Sequence, residues 1–312
     1  MELMNTRMYN SSGKGKNDIK RITGLAHHMD VVILYHGVVI YNKTLEQANT
    51  IFVHTGRQLL RPVLFFVTDI LPKLNHPVNV IIAGGDVTFP NSTDLRHTNK
   101  LKLDKHIKTV GLHPFIKKLF VENLDEDIPN TLPIPLGVNA AEGPVTMDFF
   151  SNYVNIDPSK PLLCTNFNRT RTGKGVWAER KKVFELCERA WKPFMDVNET
   201  TMTHEEFLGK MGKNTFTICV HGGGLDVNPK LWEALLIGVI PIIRENKPYT
   251  DIYVREDLPV VIVPEWCQTT IDASNLRRWH DQFYPYFTDA DKRARMLTKL
   301  SLRYWVEYVQ SA

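Results

Sequence analysis

A chain of 312 residues with 43% hydrophobic and 23% charged positions has an ordinary globular composition and is long enough for two domains, each with its own core. The formal net charge of +4 is mild, and the basic residues are dispersed apart from Arg169, Arg171, Lys174, Arg180, Lys181 and Lys182, which argues for a local anion site and against a nucleic-acid-binding surface. No apolar run has the length of a membrane span, and the polar opening MELMNTRMYNSSGKGKND lacks the apolar core of a secretory signal, so the expectation is a cytoplasmic protein.

Residues 1–20, rich in Asn, Ser, Gly and Lys, read as a flexible tail. A first α/β domain follows over 21–137, with strands expected at 31–35, 51–53, 78–83, 109–112 and 118–121 and helices at 44–49 and 64–74. The Pro-, Gly- and Asn-rich segment from Pro133 to Pro161 supplies the linker, 138–160. A second α/β domain, 161–288, has strands expected at 162–165, 216–220, 239–243 and 260–263, alternating with helices at 176–190, 205–211 and 229–237. The end of the chain, 289–312, reads as one amphipathic helix. Alternating strands and helices imply parallel sheets covered on both faces. Cys164, Cys187, Cys219 and Cys267 are widely spaced in apolar surroundings and form no C-x-x-C, which points to buried thiols, not to disulfides or a metal site. The sequons at Asn10, Asn42, Asn91, Asn168 and Asn198 read as chance without a secretory signal.

The densest information lies in VHGGGLDVNPKLWEALLIGVIPII, residues 220–243. It describes a strand end, a loop with Gly222, Gly223 and Gly224, a helix with Asn228 as N-cap and Pro229 at its first position, Gly238 as the stop, and a buried strand. Glycines beside a helix start are expected to open a phosphate-sized site of backbone N–H groups. Lys230 and Glu233, three residues apart, share one helical face. Trp232 with Leu231, Leu235 and Leu236 reads as core packing.

This combination, with Asp226, Trp232-Glu233-Ala234 and Gly238-Val239-Ile240-Pro241, resembles the donor-site signature of exostosin-type glycosyltransferases. The likeness extends over most of 21–266, including PVNVIIAGGDVTFP at 77–90 and KLFVENLDEDIPNTLPIPLGVN at 118–139, and is most specific at 222–243. It implies a GT-B architecture, two Rossmann-like domains facing across a cleft, and a nucleotide-sugar donor held by Gly222, Gly223, Gly224, Asp226, Lys230 and Glu233, the glutamate taking the ribose hydroxyls. One departure is Lys230, where the family more often has arginine, so a bidentate fork is replaced by a point charge.

Ligands of open parallel sheets bind beyond the carboxyl ends of the strands. That rule adds Arg169, Arg171 and Lys174, in the loop after 162–165, as diphosphate contacts, while Arg180 reads as structural or solvated. In the first domain it nominates Asp86, in Gly84-Gly85-Asp86, as the base that removes the acceptor proton, and His36 as the next candidate. Asp69, His54 and Glu142 stand behind them. The implied activity is inverting, metal-independent transfer of a sugar, with xylose as one candidate, from a UDP-sugar to a glycan hydroxyl, with no cofactor and no nucleic-acid partner. The alternatives are a GDP-fucose-dependent enzyme of the same architecture and an inactive sugar- or nucleotide-binding protein. Asp125-Glu126-Asp127 matches a metal-dependent Asp-x-Asp only formally, and no strand leads into GxGxxG, which disfavours a dinucleotide-dependent oxidoreductase.

Overall fold

A computed structural model describes residues 1–6, 22–34, 37–55, 60–91, 110–138, 145–168, 175–197 and 202–312. The strands β1 (Val31–Ile33), β2 (Val39–Tyr41), β3 (Thr50–His54), β4 (Val78–Ala83), β5 (Ile116–Val121) and β6 (Thr131–Pro133) form one sheet in the order β2-β1-β3-β4-β5-β6. Only β2 runs antiparallel, paired as an edge with β1. Continuous apolar runs suit strands buried on both faces, and the period of two divides them between two cores. Val31, Ile33, Ile51, Val53, Val80, Ile82 and Val121 face helix α1 (Leu60–Phe65) and its continuation through Phe66–Ile70, a π-helix, whose Val63, Phe66 and Ile70 complete that core. Val32, Phe52, Ile81 and Phe120 point the other way, into the larger core.

The second sheet contains β7 (Cys164–Asn166), β8 (Met195–Val197), β9 (Phe216–Ile218), β10 (Ile240–Arg244) and β11 (Val261–Val263) in the order β11-β10-β9-β7-β8, all parallel. Its order reverses between β7 and β9, which makes that crevice the topological switch point where open α/β sheets bind ligands. In the first sheet the parallel strands β1, β3, β4, β5 and β6 lie in chain order, and the antiparallel β2 lies on the other side of β1. The helices over this half are α2 (Met147–Ser151), α3 (Val176–Glu188), α4 (His204–Met211), α5 (Pro229–Ile237), α6 (Asp251–Arg255), α7 (Ala273–Phe283), α8 (Pro285–Thr288), α9 (Ala290–Leu300) and α10 (Leu302–Ser311). Two parallel Rossmann-like layers joined by a crossing segment are the α/β organisation that a GT-B architecture requires. No helix among the described residues is long and apolar enough to cross a membrane.

Several local expectations are corrected. The segment expected as a strand at 109–112 is a 3-10 turn, Val110–Leu112, and the expected helix at 44–49 is a set of turns, in which the Gln47 N–H reaches only the Thr44 carbonyl. The terminal helix breaks at Ser301, whose hydroxyl caps α10 by accepting from the Tyr304 N–H. The linker carries α2, which packs on α5. The tail does not begin at the first residue: Glu2, Leu3 and Asn5 bridge to Thr146, Ser301 and Gly137, because Leu3 and Met4 are apolar and fill the larger core. Helix α10 returns to the first sheet, where Tyr308 packs edge-on against Phe120 at 5.7 Å and the Asn79 Nδ2 donates to the Val309 carbonyl at 2.7 Å. That return covers part of the face of the first sheet that carries Phe120.

Candidate functional site

The switch-point crevice is occupied by a cation. Lys230 stands one residue into α5 and is only 8% exposed. Its Nζ donates to the Asn168 Oδ1 at 2.9 Å and to the Ile218 carbonyl, the end of β9, at 2.7 Å. Burial lowers its pKa to about 8, and the neighbouring Arg180 charge acts in the same direction. An ammonium kept under those conditions is poised for an anion.

Arg180, which reads from the sequence as structural or solvated, is bonded to the glycine loop. It lies one turn into α3, and helical side chains lean towards the N-terminus, so its guanidinium swings back to the glycine loop. The Arg180 Nε donates to the His221 carbonyl at 3.0 Å, and a Cβ built at Gly222 would lie 3.9 Å from its terminal nitrogen. The ring of Trp177 sits under the guanidinium at 5.2 Å. That lean was the available signal, since position 180 follows closely on the basic loop.

The three glycines divide their roles. A Cβ at Gly222 would make only ordinary contacts, with Arg180 at 3.9 Å and the Val227 carbonyl at 4.0 Å, whereas a Cβ at Gly224 would come within 2.3 Å of the Asn123 Oδ1. Gly224 therefore permits contact between the two domains. The helix start differs from expectation: Pro229 has no N–H, Asn228 Oδ1 takes the Lys230 N–H at 3.0 Å, and the Asn228 carbonyl takes that of Leu231 at 3.2 Å. With these first amides satisfied internally, an anion at this helix start would meet the side chains of Lys230 and Arg180 and not those amides.

Glu179 anchors the underside of this loop. Its carboxylate accepts from Arg244 Nε at 2.9 Å and Trp266 Nε1 at 2.8 Å, with His221 Nδ1 at 3.8 Å. Burial alone would raise its pKa, but the nearby His221 ring and the bonded Arg244 guanidinium outweigh it and hold the carboxyl down at about 2.

Glu233, one turn after Lys230, is 5% exposed and pairs through Oε1 with His204 Nε2 at 3.1 Å. Its Oε2 has no hydrogen-bond partner among the described residues. His204, the first residue of α4, stacks between Phe149 at 5.6 Å and Phe207 at 6.2 Å. The hydrogen bond to Glu233 raises its pKa against the opposing effect of burial. Thr203 and Glu206 form a reciprocal capping box that fixes this end of α4.

Asp226 is bonded inside the domain interface. Its Oδ2 accepts from the Leu136 N–H and from Tyr249 Oη at 2.6 Å, and its Oδ1 from Tyr253 Oη at 3.0 Å. Both oxygens are taken by internal donors, so the nomination of Asp226 as a nucleotide contact gives way to a tie between the second domain and the crossing segment.

In the first domain, Asp86 follows the carboxyl end of β4 and is half-buried. Gly84, at φ +89°, leaves room for the ring of His54, which a Cβ there would meet at 2.1 Å. Glu122, just beyond β5, is 3% exposed and accepts from the Gly84 N–H and from Thr6 Oγ1, each at 2.8 Å. The strand-end rule reaches Glu122 as well, as the residue directly after β5. Asp69 is exposed on the π-helix and bonded by Thr68. Asp125 accepts from Thr88 and Asn91, and burial raises its pKa. His36, Arg169, Arg171, Lys174 and Glu142 lie outside the described residues.

No family model matches the chain, and comparison with curated proteins yields no match. Among solved structures, a chain of the GtfA/B complex is similar over 76% of this chain and 53% of its own, at 10% identity and a TM-score of 0.34. The pneumococcal O-GlcNAc transferase GtfA, solved with UDP and GlcNAc, is similar over 88% of this chain and 61% of its own, at 9% identity and a TM-score of 0.32. The glycotransferase of kitacinnamycin covers 85% of this chain and 76% of its own, at 10% identity and a TM-score of 0.37. The chain thus spans little more than half the length of the first two. Likeness of this degree concerns the course of the backbone and leaves the chemistry to the chain's own side chains.

Proposed function

We propose that this chain is a glycosyltransferase of the exostosin type, moving a sugar with inversion from a UDP-sugar to a hydroxyl of a glycan acceptor. The observation that carries the reading is the pair of cations at the switch-point crevice: Lys230, buried and held by Asn168 and Ile218, and Arg180, bonded to the His221 carbonyl beside Gly222. A diphosphate is the leaving group that such a pair suits. The acceptor oxygen attacks the anomeric carbon, the bond from that carbon to the phosphate oxygen breaks, and the acceptor proton passes to the Asp86 carboxylate. Charge growing on the diphosphate is met by Lys230 and Arg180, with Arg169, Arg171 and Lys174 as further contacts, so no metal is needed. Glu233 Oε2 offers an acceptor to the ribose hydroxyls.

The test is calorimetry with UDP and GDP in the presence of a chelator, followed by donor hydrolysis with UDP-xylose and other UDP-sugars. Binding of UDP that Lys230→Ala weakens by about 10-fold or more, the scale of a lost charge-assisted bond, is the expected result. Preference for GDP would favour fucosyl transfer, binding without hydrolysis or transfer would favour a nucleotide-binding protein, and a strict requirement for manganese would overturn the cation-based site.

A further inference from the structure

Asn123 is the second residue beyond β5, at the boundary between the two domains, and is 1% exposed. Its backbone adopts φ +61°, a left-handed conformation that Asn tolerates better than most residues. Both ends of its amide are used, and they point at different domains. The Nδ2 donates to the Gly85 carbonyl at 2.8 Å, inside the turn that carries Asp86. The Oδ1 accepts from the Asp226 N–H at 2.9 Å, inside the loop that follows the glycines. The same oxygen occupies the space that a side chain at Gly224 would need. A short side chain thus joins the acceptor-side turn to the donor-side loop with no intervening residue.

We propose that Asn123 is a positioning residue that holds the turn 84–86 in register with the loop 222–226, so that the base and the donor face each other at a fixed spacing. The chemical consequence rests on the glycosyl-transfer reading, while the mechanical link does not. Inverting displacement needs the acceptor hydroxyl, its base and the anomeric carbon in one line, and displacement of a reacting group by about 1 Å is enough to lower a rate ~100-fold. Asn123 touches neither substrate in this arrangement and acts through the two loops.

The decisive experiment combines hydrogen exchange with a double-mutant cycle. Asn123→Gly suits the left-handed backbone and removes the side-chain bonds to Gly85 and Asp226 together with a longer one, at 3.4 Å, from Nδ2 to Glu122 Oε1. Exchange at amides 84–86 and 222–226 is expected to quicken together in the substrate-free variant, with the β4 and β9 amides unchanged. Gly224→Ala is expected to lower the melting temperature in the parent and much less in the Asn123→Gly background, because the obstructing oxygen is gone. Asn123→Asp keeps the acceptor for Asp226 but sets a carboxylate against the Gly85 carbonyl and Glu122, so it should loosen 84–86 more than 222–226; Asn123→Ala, which also lacks the three bonds, serves if the glycine variant does not fold. In turnover, Asn123→Gly should lower kcat by about 10-fold or more with donor KM changed by less than about 2-fold, a split that general destabilisation does not produce. Unchanged exchange at 84–86, or fully additive effects of the two substitutions, overturns the link. Failure of the parent to bind UDP would instead sink the functional reading and leave the exchange and stability results to judge the link by themselves.

Discussion

Lys230 is expected to produce two opposite pH dependences. Its pKa is near 8 in the folded chain against an ordinary value of 10.5, so across that window the unfolded chain binds more protons and stability rises with pH. Nucleotide affinity should fall over the same range, because the crevice loses the Lys230 charge and keeps only that of Arg180. Denaturant unfolding and calorimetry from pH ~8 to ~10.5 would show both trends, and Lys230→Met should flatten both. His204 runs the other way. Its pKa is raised above the ordinary 6.5 by Glu233, so the pair's stabilisation is present below 6.5 and is lost as pH rises through the folded value. The melting-temperature difference between the parent and His204→Ala should therefore shrink on alkalisation. Asp86→Asn keeps the shape of the turn and removes proton acceptance, so turnover should fall by about 100-fold with nucleotide affinity unchanged. Parental turnover in that variant would remove Asp86 from the base role. At this scale the sequence made Lys230 and Glu233 legible because a helix fixes their spacing, whereas Asn123 was illegible: its two bonds lie 38 and 103 positions away in the chain.

Helix α5 shows how one element is set by its ends. Asn228 caps it, Pro229 opens it, and Gly238 closes it in the left-handed conformation at φ +85°. The stop is also a packing requirement, since a Cβ at 238 would lie 2.7 Å from Ile156 Cγ2 and 2.8 Å from the Asn155 carbonyl oxygen. The Lys160 Nζ, itself buried, donates to the Gly238 carbonyl at 2.7 Å and to that of Asn155 at 2.8 Å. Gly238→Ala is accordingly expected to cost about 2 kcal/mol or more, combining left-handed strain with overpacking, and thermal unfolding would read it. Caps and apolar periodicity are local, which is why α5 and β4 read cleanly from sequence. The helix break at Ser301 is also local, yet a single apolar stripe ran through it and masked the cap.

Across the whole molecule, the two domains are tied by a buried carboxylate and a returning helix. Tyr249 and Tyr253 each donate to Asp226, and burial pushes both phenols well above their ordinary pKa. Tyr253→Phe would leave one Asp226 oxygen short of its donor in a dry interface, at an expected cost of about 1 to 3 kcal/mol. Urea unfolding should show that loss, and a variant as stable as the parent would deny the tie its structural weight. Val309→Asp would place a charge where α10 covers the first sheet, and severe loss of stability is expected. The amino-acid sequence by itself determined the α/β class, the strand β4, the helix α5 and the placement of Lys230 and Glu233, because periodicity, caps and helical spacing act within one or two turns of chain. Only the tertiary structure decided that Arg180 reaches the glycine loop, that Asp226 faces tyrosines of its own domain and the crossing segment, and that Gly224 yields space to Asn123. Those outcomes depend on which strand ends meet across a sheet and across a domain boundary, and no local propensity encodes that.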